Sequence, residues 1–165
     1  MDYQAIAQIN ILAFGRDNEA NLVDLLRKSD AFNPELSLVA IAENRIAGHI
    51  LFTKIKIINA AGNEAESLAL APLAVLPEFQ NKGIGSRLVT YGLNKARELQ
   101  YRSVIVLGHK NYYARFGFEA AVKWNIRSPF KLSDEENFMG IELVGDGLKN
   151  AAGFVKYPEP FMAGL

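Results

Sequence analysis

A strand, a tight turn and a long helix follow one another in residues 73–88, which read LAVLPEFQNKGIGSRL from Leu73 to Leu88. The apolar run at residues 68–76 predicts a strand buried on both faces, and the apolar periodicity of residues 83–99 predicts the helix. The N–H groups at a helix N-terminus have no acceptor inside the helix and lie at the positive end of its dipole. Because Gly83 and Gly85 would let an anion approach that backbone closely, the turn predicts a phosphate-binding segment.

Two other nucleotide-binding motifs are excluded at this turn. A P-loop ends in Gly-Lys-Ser or Gly-Lys-Thr, and the sequence contains neither triplet. A dinucleotide fingerprint needs a third glycine at the position that Leu88 occupies. Lys82 can add a positive charge to a bound anion, or its side chain can simply lie in solvent. The alternative for the whole segment is a glycine-containing loop that only turns the chain.

The bulk properties favour one domain over residues 1–165, since a domain commonly has about 100–200 residues. Eighteen basic residues balance eighteen acidic ones. The neutral total gives no electrostatic case for nucleic acid or an anionic membrane as partner. The absence of cysteine excludes disulfides and thiolate chemistry, and two histidines are too few for a His-rich metal site, so no metal is predicted. With no signal peptide and no membrane-spanning apolar stretch, we expect a cytoplasmic protein.

Hydrophobic periodicity predicts strands in the middle of the chain with helices around them, which indicates an α/β or α+β layered fold. The helices are expected at residues 2–14, 19–28 and 83–99, with a short helical piece at 111–116. The strands are expected at 36–43, 46–58, 68–76, 103–107, 138–144 and 153–157. A turn is predicted at Asn44 and Arg45 and a loop at residues 59–66. Pro72 predicts a bulge or a break in pairing, because proline cannot donate to a strand ladder.

The turn resembles motif A of the GNAT N-acetyltransferases, since Val75-x-Pro77-x-x-Gln80-x-x-Gly83-x-Gly85 matches without a gap. The resemblance implies a mixed central sheet of about six or seven strands flanked by helices, with acetyl-CoA as cosubstrate. It also implies that a strand splayed from its neighbour binds the pantetheine arm and that the turn amides hold the pyrophosphate. The residues so assigned are Leu73, Ala74 and Val75 for the arm, and Gln80, Asn81, Lys82, Gly83, Ile84, Gly85 and Ser86 for the pyrophosphate.

A second segment, YYARFGF from Tyr112 to Phe118, is similar to GNAT motif B. The resemblance implies that Tyr113, four residues before Gly117, protonates the departing thiolate of coenzyme A. A phenol with a pKa of about 10 can give a proton or a hydrogen bond to that sulfur. Tyr112 is a close rival by composition, and the alternative for Tyr113 is a ring packed in the core. With Pro72-Leu73-Ala74-Val75, the segment places the chain nearest a bacterial branch of predicted N-acetyltransferases.

Two features depart from the family pattern. The chain starts almost directly at its first helix, so the family's first strand is expected to be missing, and the exposed sheet edge could favour a homodimer. The fourth-strand glutamate that many members use as a base aligns at or near Ala69. Glu64 and Glu66 in the predicted loop, and Glu142 in a strand, are the carboxylates that could act as the base in its place. A water chain, or an amine that arrives deprotonated, is the alternative.

Five further side chains could be structural or could contribute to a site. His49 is expected to be a hydrogen-bonded core histidine. His109 follows the C-terminal end of a central strand, where α/β sites collect, and could act as a base or shape the acceptor pocket. Trp124, Phe130 and Phe138 could line that pocket, although aromatic residues at such spacing are more often core.

The resulting hypothesis is an N-acetyltransferase that moves the acetyl group of acetyl-CoA directly to a primary amine in a ternary complex. A non-catalytic acyl-CoA-binding module is the alternative, which the missing carboxylate favours and Tyr113 opposes. An unrelated nucleotide-binding enzyme is disfavoured because both competing motifs fail. The sequence leaves the acceptor open among small amines, antibiotics, polyamines, amino acids and protein amino groups.

Overall fold

The computed structural model describes residues 2–163 and contains helices and strands in alternation. The helices are α1 (Tyr3–Phe14), α2 (Asn18–Arg27), α3 (Ile84–Glu98), α4 (Lys110–Ala114) and α5 (Pro160–Ala163). The strands are β1 (Ser37–Ala42), β2 (Arg45–Ile58), β3 (Glu64–Val75), β4 (Ser103–Leu107), β5 (Glu119–Ala120), β6 (Ile126–Arg127), β7 (Phe138–Glu142) and β8 (Gly153–Lys156). Short 3₁₀ turns occur at Pro34–Leu36, Pro77–Phe79, Ala121–Trp124 and Glu135–Asn137.

The ends of α1 follow from its sequence. The side chain of Asp2 accepts a hydrogen bond of 3.0 Å from the amide of Ala5, and so caps the first turn. Gly15 closes the helix in the left-handed region at φ +70°, where glycine has no Cβ penalty. The predicted helix at residues 2–14 is therefore confirmed at both ends, and α1 is the first element of the described chain.

The sheet is mixed, as predicted. Its hydrogen-bonded order is β5-β7-β4-β3-β2-β8-β6, and β1 pairs with β2 outside this path. β3 runs parallel to β4, whereas β1 with β2 and β4 with β7 are antiparallel. The described residues form eight strands, and two of them, β5 and β6, contain only two residues each. The six longer strands agree with the predicted six or seven.

Two local predictions need correction. The turn between β1 and β2 lies at Glu43 and Asn44, both with positive φ, because a two-residue turn of that geometry matches the twist of the strands. β3 begins at Glu64, so the predicted loop is too long by three residues, 64–66. β3 continues through Pro72, which follows a cis peptide bond, to Val75, while its described pairs with β4 end at Ala69, so the predicted bulge or break in pairing at Pro72 is not contradicted.

The chain divides into two compact units. Within the described residues, the first contains residues 2–53, 71–95 and 158–163, and the second contains residues 54–70 and 96–157. β2 and β3 each pass from one unit into the other. The expectation of one domain over residues 1–165 stays a prediction. Among residues 2–163, no helix is long and apolar enough to cross a membrane.

Each unit has its own buried side chains. In the first unit, a core cluster is formed by Ile9, Ala47, Ala74, Leu76 and Phe79, and a second cluster by Ile6, Val23, Leu26 and Leu51. In the second unit, the hydroxyl groups of Ser67 on β3 and Ser103 on β4 form a buried hydrogen bond of 2.7 Å. This bond satisfies two polar atoms that would otherwise be costly to bury.

Candidate functional site

The turn between β3 and α3 has the backbone geometry of an anion-binding helix start. Asn81 and Gly83 both adopt left-handed conformations, at φ +61° and +83°. Arg87 donates the first helical hydrogen bond to the carbonyl of Gly83 at 3.1 Å, so the N–H groups of the first turn of α3 face away from the helix body. A Cβ at Gly83 would meet no atom within 4 Å, which leaves open space in front of this turn.

The last residues of β3 extend beyond the pairing of that strand with β4. Leu68 pairs with Val104 and Ala69 pairs with Ile105, and the described residues contain no further pair in this ladder. β3 nevertheless continues to Val75. Residues 73–75 therefore lie beyond the last described pair of β3 with β4.

Close packing fixes the position of this turn within the first unit. A Cβ at Gly48 on β2 would lie 3.0 Å from Leu88 Cδ1, 3.2 Å from Ile84 Cγ2 and 3.2 Å from the carbonyl oxygen of Ala74. The amide of Leu76 donates to the carbonyl of Ala47 at 2.8 Å. The end of β3 and the start of α3 are therefore both held tightly against β2.

The side chains of the turn have two orientations. Gln80 folds back, and its Nε2 donates to the carbonyl of Val75 at 3.0 Å, so its side chain supports the turn from within. Lys82 is exposed, and its Nζ lies 5.6 Å from the centre of the Phe79 ring. Arg45 lies over the same ring at 5.5 Å and pairs with Glu78 at 2.9 Å. The sequence left the direction of Lys82 open, and its exposed ammonium can still approach an anion at the turn.

Tyr113 lies on α4 with its ring almost fully buried, at 9% exposure. The ring contacts Tyr112 and Phe118 edge to face, with centroids 5.0 and 5.6 Å apart. It also lies close to Gly108, where a Cβ would be 2.4 Å from Cε2 of the ring. Within residues 2–163 no hydrogen-bond partner is found for its hydroxyl group. Burial, and to a lesser extent Tyr112, raises the pKa of Tyr113 above its ordinary value of 10.0, so the phenol stays protonated at neutral pH.

The candidate bases differ in their surroundings. Ala69 is buried in β3 and carries no titratable group. Glu64 and Glu66 lie on β3 rather than in a loop, and Glu64 pairs with Lys56 at 2.9 Å. Glu142 accepts a hydrogen bond of 3.0 Å from the amide of Leu148, which gives its carboxylate a structural partner. Within residues 2–163, no hydrogen bond or ion pair links Glu64, Glu66 or Glu142 to Tyr113.

The two histidines lie in opposite environments. His49 is fully buried on β2, with Nε2 3.1 Å from Ser37 Oγ and Nδ1 3.5 Å from Asn10 Nδ2. Burial, with a smaller contribution from Arg27, lowers the pKa of His49 to about 4. The expected core histidine is confirmed. His109 is exposed at the start of α4, where its carbonyl accepts from the amides of Tyr112 and Tyr113, both at 3.1 Å.

A cavity of about 130 Å³ opens in the second unit beside β6. Phe130 and Phe138 line it, whereas Trp124 packs beside Gly140 and is not among the lining residues. Its polar lining comes from Arg127, Ser128 and Glu135. The sequence analysis missed these three residues. They belong to no local motif, because the pairing of β6 with β8 and of β7 with β4 brings them together.

Comparison with known proteins agrees with this fold. The family profile described as "Acetyltransferase (GNAT) family" matches residues 3–118. The chain is 41% identical over 118 residues to the uncharacterized N-acetyltransferase YjhQ of Escherichia coli K12; the match covers 72% of this chain and 65% of YjhQ, just under two thirds of that protein. It is 34% identical over 150 residues to the uncharacterized N-acetyltransferase YhbS of the same strain, covering 90% of this chain and 86% of YhbS. The chain therefore belongs to the GNAT family of acetyltransferases.

Two solved structures share the fold over nearly the whole chain. The crystal structure of E. coli YhbS in complex with CoA has a TM-score of 0.87 and 30% identity, and the match covers 98% of this chain and 87% of that one. The structure of a GNAT family acetyltransferase from Brucella melitensis in complex with acetyl-CoA has a TM-score of 0.77 and 31% identity. That match covers 97% of this chain and 92% of the Brucella chain.

Proposed function

We propose that this acetyltransferase moves the acetyl group of acetyl-CoA to a primary amine by direct transfer in a ternary complex. The observation that carries the proposal is the end of β3, where residues 73–75 continue past the last pair with β4 and lead into the turn at Gly83. An unpaired strand edge can bind the amides of a pantetheine arm, and a helix start can bind its pyrophosphate. The relatives that hold CoA and acetyl-CoA support the same assignment.

The cofactor residues of the proposal act mainly through their backbone. Leu73, Ala74 and Val75 would pair with the arm. Residues 80–86, namely Gln80, Asn81, Lys82, Gly83, Ile84, Gly85 and Ser86, would surround the pyrophosphate. Backbone dipoles bind an anion without a net positive charge on the protein, which suits a chain of zero formal charge.

The proposed reaction needs a neutral amine and a stabilised leaving group. The amine nitrogen attacks the thioester carbon, the carbon–nitrogen bond forms and the nitrogen gives up a proton through water. The carbon–sulfur bond then breaks, the Tyr113 hydroxyl donates a hydrogen bond to the departing thiolate, and the sulfur takes its proton from solvent. Because a thiol has a pKa of about 8.5, the buried phenol is the weaker acid, and it acts best by hydrogen-bonding to the developing charge on sulfur.

The test is calorimetric titration of the purified protein with acetyl-CoA and with CoA. The wild type should bind both, and Gly83→Glu should lose binding because a carboxylate would lie where the pyrophosphate sits. Gly62→Glu is the matched control, since Gly62 has nearly the same φ, +84°, and equally open surroundings. It lies in the loop between β2 and β3, outside residues 73–75 and 80–86. If the wild type binds neither ligand at millimolar concentration, the proposal is wrong.

The alternative is a module that binds acyl-CoA without turning it over. The observation in its favour is Ala69, which replaces the glutamate that many GNAT enzymes use as a base. Binding of acetyl-CoA with no acetylation across an amine panel would favour the module. Measurable turnover would exclude it.

A further inference from the structure

The cavity beside β6 has walls and polar groups that match one chemical class of ligand. Its apolar surface comes largely from Ile126, Phe130, Leu132 and Phe138, and Phe130 is held in place by stacking on Tyr157 at 5.5 Å. A cavity of about 150 Å³ is large enough for a benzene molecule, so about 130 Å³ suits a branched aliphatic side chain. The volume indicates a ligand group of roughly that size rather than a long chain.

Two opposite charges line the same small cavity without neutralising each other. Arg127 and Glu135 both contribute to the lining. Within residues 2–163 neither side chain forms an ion pair or a side-chain hydrogen bond, with the other or with a third residue. The hydroxyl of Ser128 accepts from the amide of Phe130 at 3.1 Å and keeps its own hydrogen free to donate. A guanidinium, a carboxylate and a hydroxyl donor are therefore all available to a ligand.

The carboxylates of Asp134 and Glu136, by contrast, each form an ion pair within the protein. Both carboxylates pair with Lys110 on α4, that of Asp134 at 3.5 Å. Glu135, between them, is the carboxylate of this turn that lines the cavity. Asp134 and Glu136 therefore tie the turn to α4, whereas Glu135 lines the cavity.

The same turn connects the cavity to the helix that carries Tyr113. The carbonyl of Asn137 accepts from the amide of Gly108 at 3.0 Å, and its side-chain oxygen accepts from the amide of Lys110 at 3.2 Å. Phe138 pairs with Leu107, the last residue of β4. The acceptor nitrogen must reach the carbon bonded to the sulfur that Tyr113 is proposed to serve. The contacts of Asn137 tie the turn that lines the cavity to the start of α4, which favours an acceptor near Tyr113.

From these contacts we propose that the cavity beside β6 is the acceptor site and that it takes a small zwitterionic amine, an α-amino acid with a branched apolar side chain. The inference rests on the proposed acetyl transfer. Arg127 binds the carboxylate of the ligand, Glu135 accepts a hydrogen bond from its ammonium group, and the apolar walls take the side chain. The ammonium gives one proton to water before its nitrogen attacks the thioester. A zwitterion pairs with both charges, whereas a simple amine or a simple acid pairs with only one of them.

The experiment compares L-leucine with L-leucinamide, which keeps the amino group and the side chain but lacks the carboxylate. We expect Arg127→Met to lower kcat/KM for L-leucine about 10- to 100-fold, the range for losing a hydrogen bond to a charged group. The same variant should change kcat/KM for L-leucinamide less than about threefold by the same reasoning. Because each ligand is compared with itself, the different basicity of the two amines cancels. Glu135→Gln should lower kcat/KM for both, and Lys131→Met, an exposed change in the same loop, should alter neither.

Direct binding gives a second readout that does not depend on turnover. L-leucine should bind to the wild type in millimolar titrations and should bind Arg127→Met at least about tenfold more weakly. The inference is overturned if L-leucine does not bind to the wild type, or if Arg127→Met weakens L-leucine and L-leucinamide equally. If acetyl-CoA binds but L-leucine does not, the acceptor class alone is wrong. If acetyl-CoA does not bind, the acetyl transfer itself is wrong.

Discussion

Tyr113 combines a buried ring with a hydroxyl group that has no protein partner in the described chain, and this predicts how its removal will act. Tyr113→Phe should keep the ring contacts with Tyr112 and Phe118. We expect kcat to fall about 100-fold or more, as for the loss of a general acid, with the Kd for acetyl-CoA nearly unchanged. Steady-state kinetics and calorimetry measure the two quantities. Tyr112→Phe removes the neighbouring hydroxyl and should keep kcat; an equal loss in both variants would contradict the assignment.

The raised pKa of Tyr113 gives a second prediction at the same residue. Because burial raises the pKa of the phenol above its usual 10.0, the protonated form needed for donation persists through the whole range below that pH. We therefore expect no decline of kcat assignable to Tyr113 between about pH 7 and 10 at saturating amine. The pH profile of kcat, measured in the wild type and in Tyr113→Phe, tests this. A decline above pH 8.5 that vanishes in the variant would show that the phenol ionises earlier.

At the scale of elements, the packing of α3 on β2 depends on a glycine. A Cβ at Gly92 would lie 2.3 Å from Cε2 of Phe52, and Phe52 is fully buried. Alanine favours a helix over glycine by about 1 kcal/mol, but the buried ring would have to shift within a packed core to admit the methyl group. We expect Gly92→Ala to lower the free energy of unfolding by about 1–3 kcal/mol, measured by urea denaturation.

Two further variants show whether the contact with Phe52 is the cause. Thr90→Ala, at an exposed position of the same helix, should change the free energy of unfolding by less than about 0.5 kcal/mol. Adding Phe52→Leu to Gly92→Ala should recover part of the loss, because the two changes share one contact. Strict additivity of the two changes would contradict this explanation.

The sequence predicted the elements whose signals are local. Asp2, Gly15 and the apolar period of residues 2–14 gave α1 within a residue, and the glycines of residues 83–85 gave the turn into α3. The start of β3 was missed because Glu64 and Glu66 read as solvated polar residues, and only pairing within the sheet makes them a strand. Arg127 and Glu135 were missed for the same reason. They lie in looser segments, and the strand pairs around them bring them to one cavity.

At the scale of the whole molecule, His49 links stability to pH. The pKa of this buried side chain is about 4 in the folded chain against 6.5 in the unfolded chain. Between these values the unfolded state binds a proton that the folded state does not, so stability falls as pH falls through this window. We expect a loss of about 2 kcal/mol between pH 8 and pH 5 from this group.

Urea denaturation at several pH values measures that loss. His49→Gln, which keeps hydrogen-bonding atoms near Ser37 and Asn10, should flatten the dependence of the free energy of unfolding on pH, although the variant is expected to be less stable overall. His109→Gln is the natural control, because the only other histidine of the chain is exposed. An unchanged slope in His49→Gln would assign the pH dependence to other groups.

The turn before β7 separates the residues that hold it from the residue that faces the cavity. Asp134 and Glu136 are tied to Lys110, so replacing either should loosen the loop, whereas Glu135 can change without breaking an ion pair. Under the proposed acceptor role, a substitution at position 135 can change which ligand binds without breaking the ion pairs that hold the loop. Diverging relatives would be expected to vary at positions 135 and 127, which both line the cavity, while the ion pairs of Asp134 and Glu136 with Lys110 persist. One small cavity could thus serve different amines in different lineages on an unchanged scaffold.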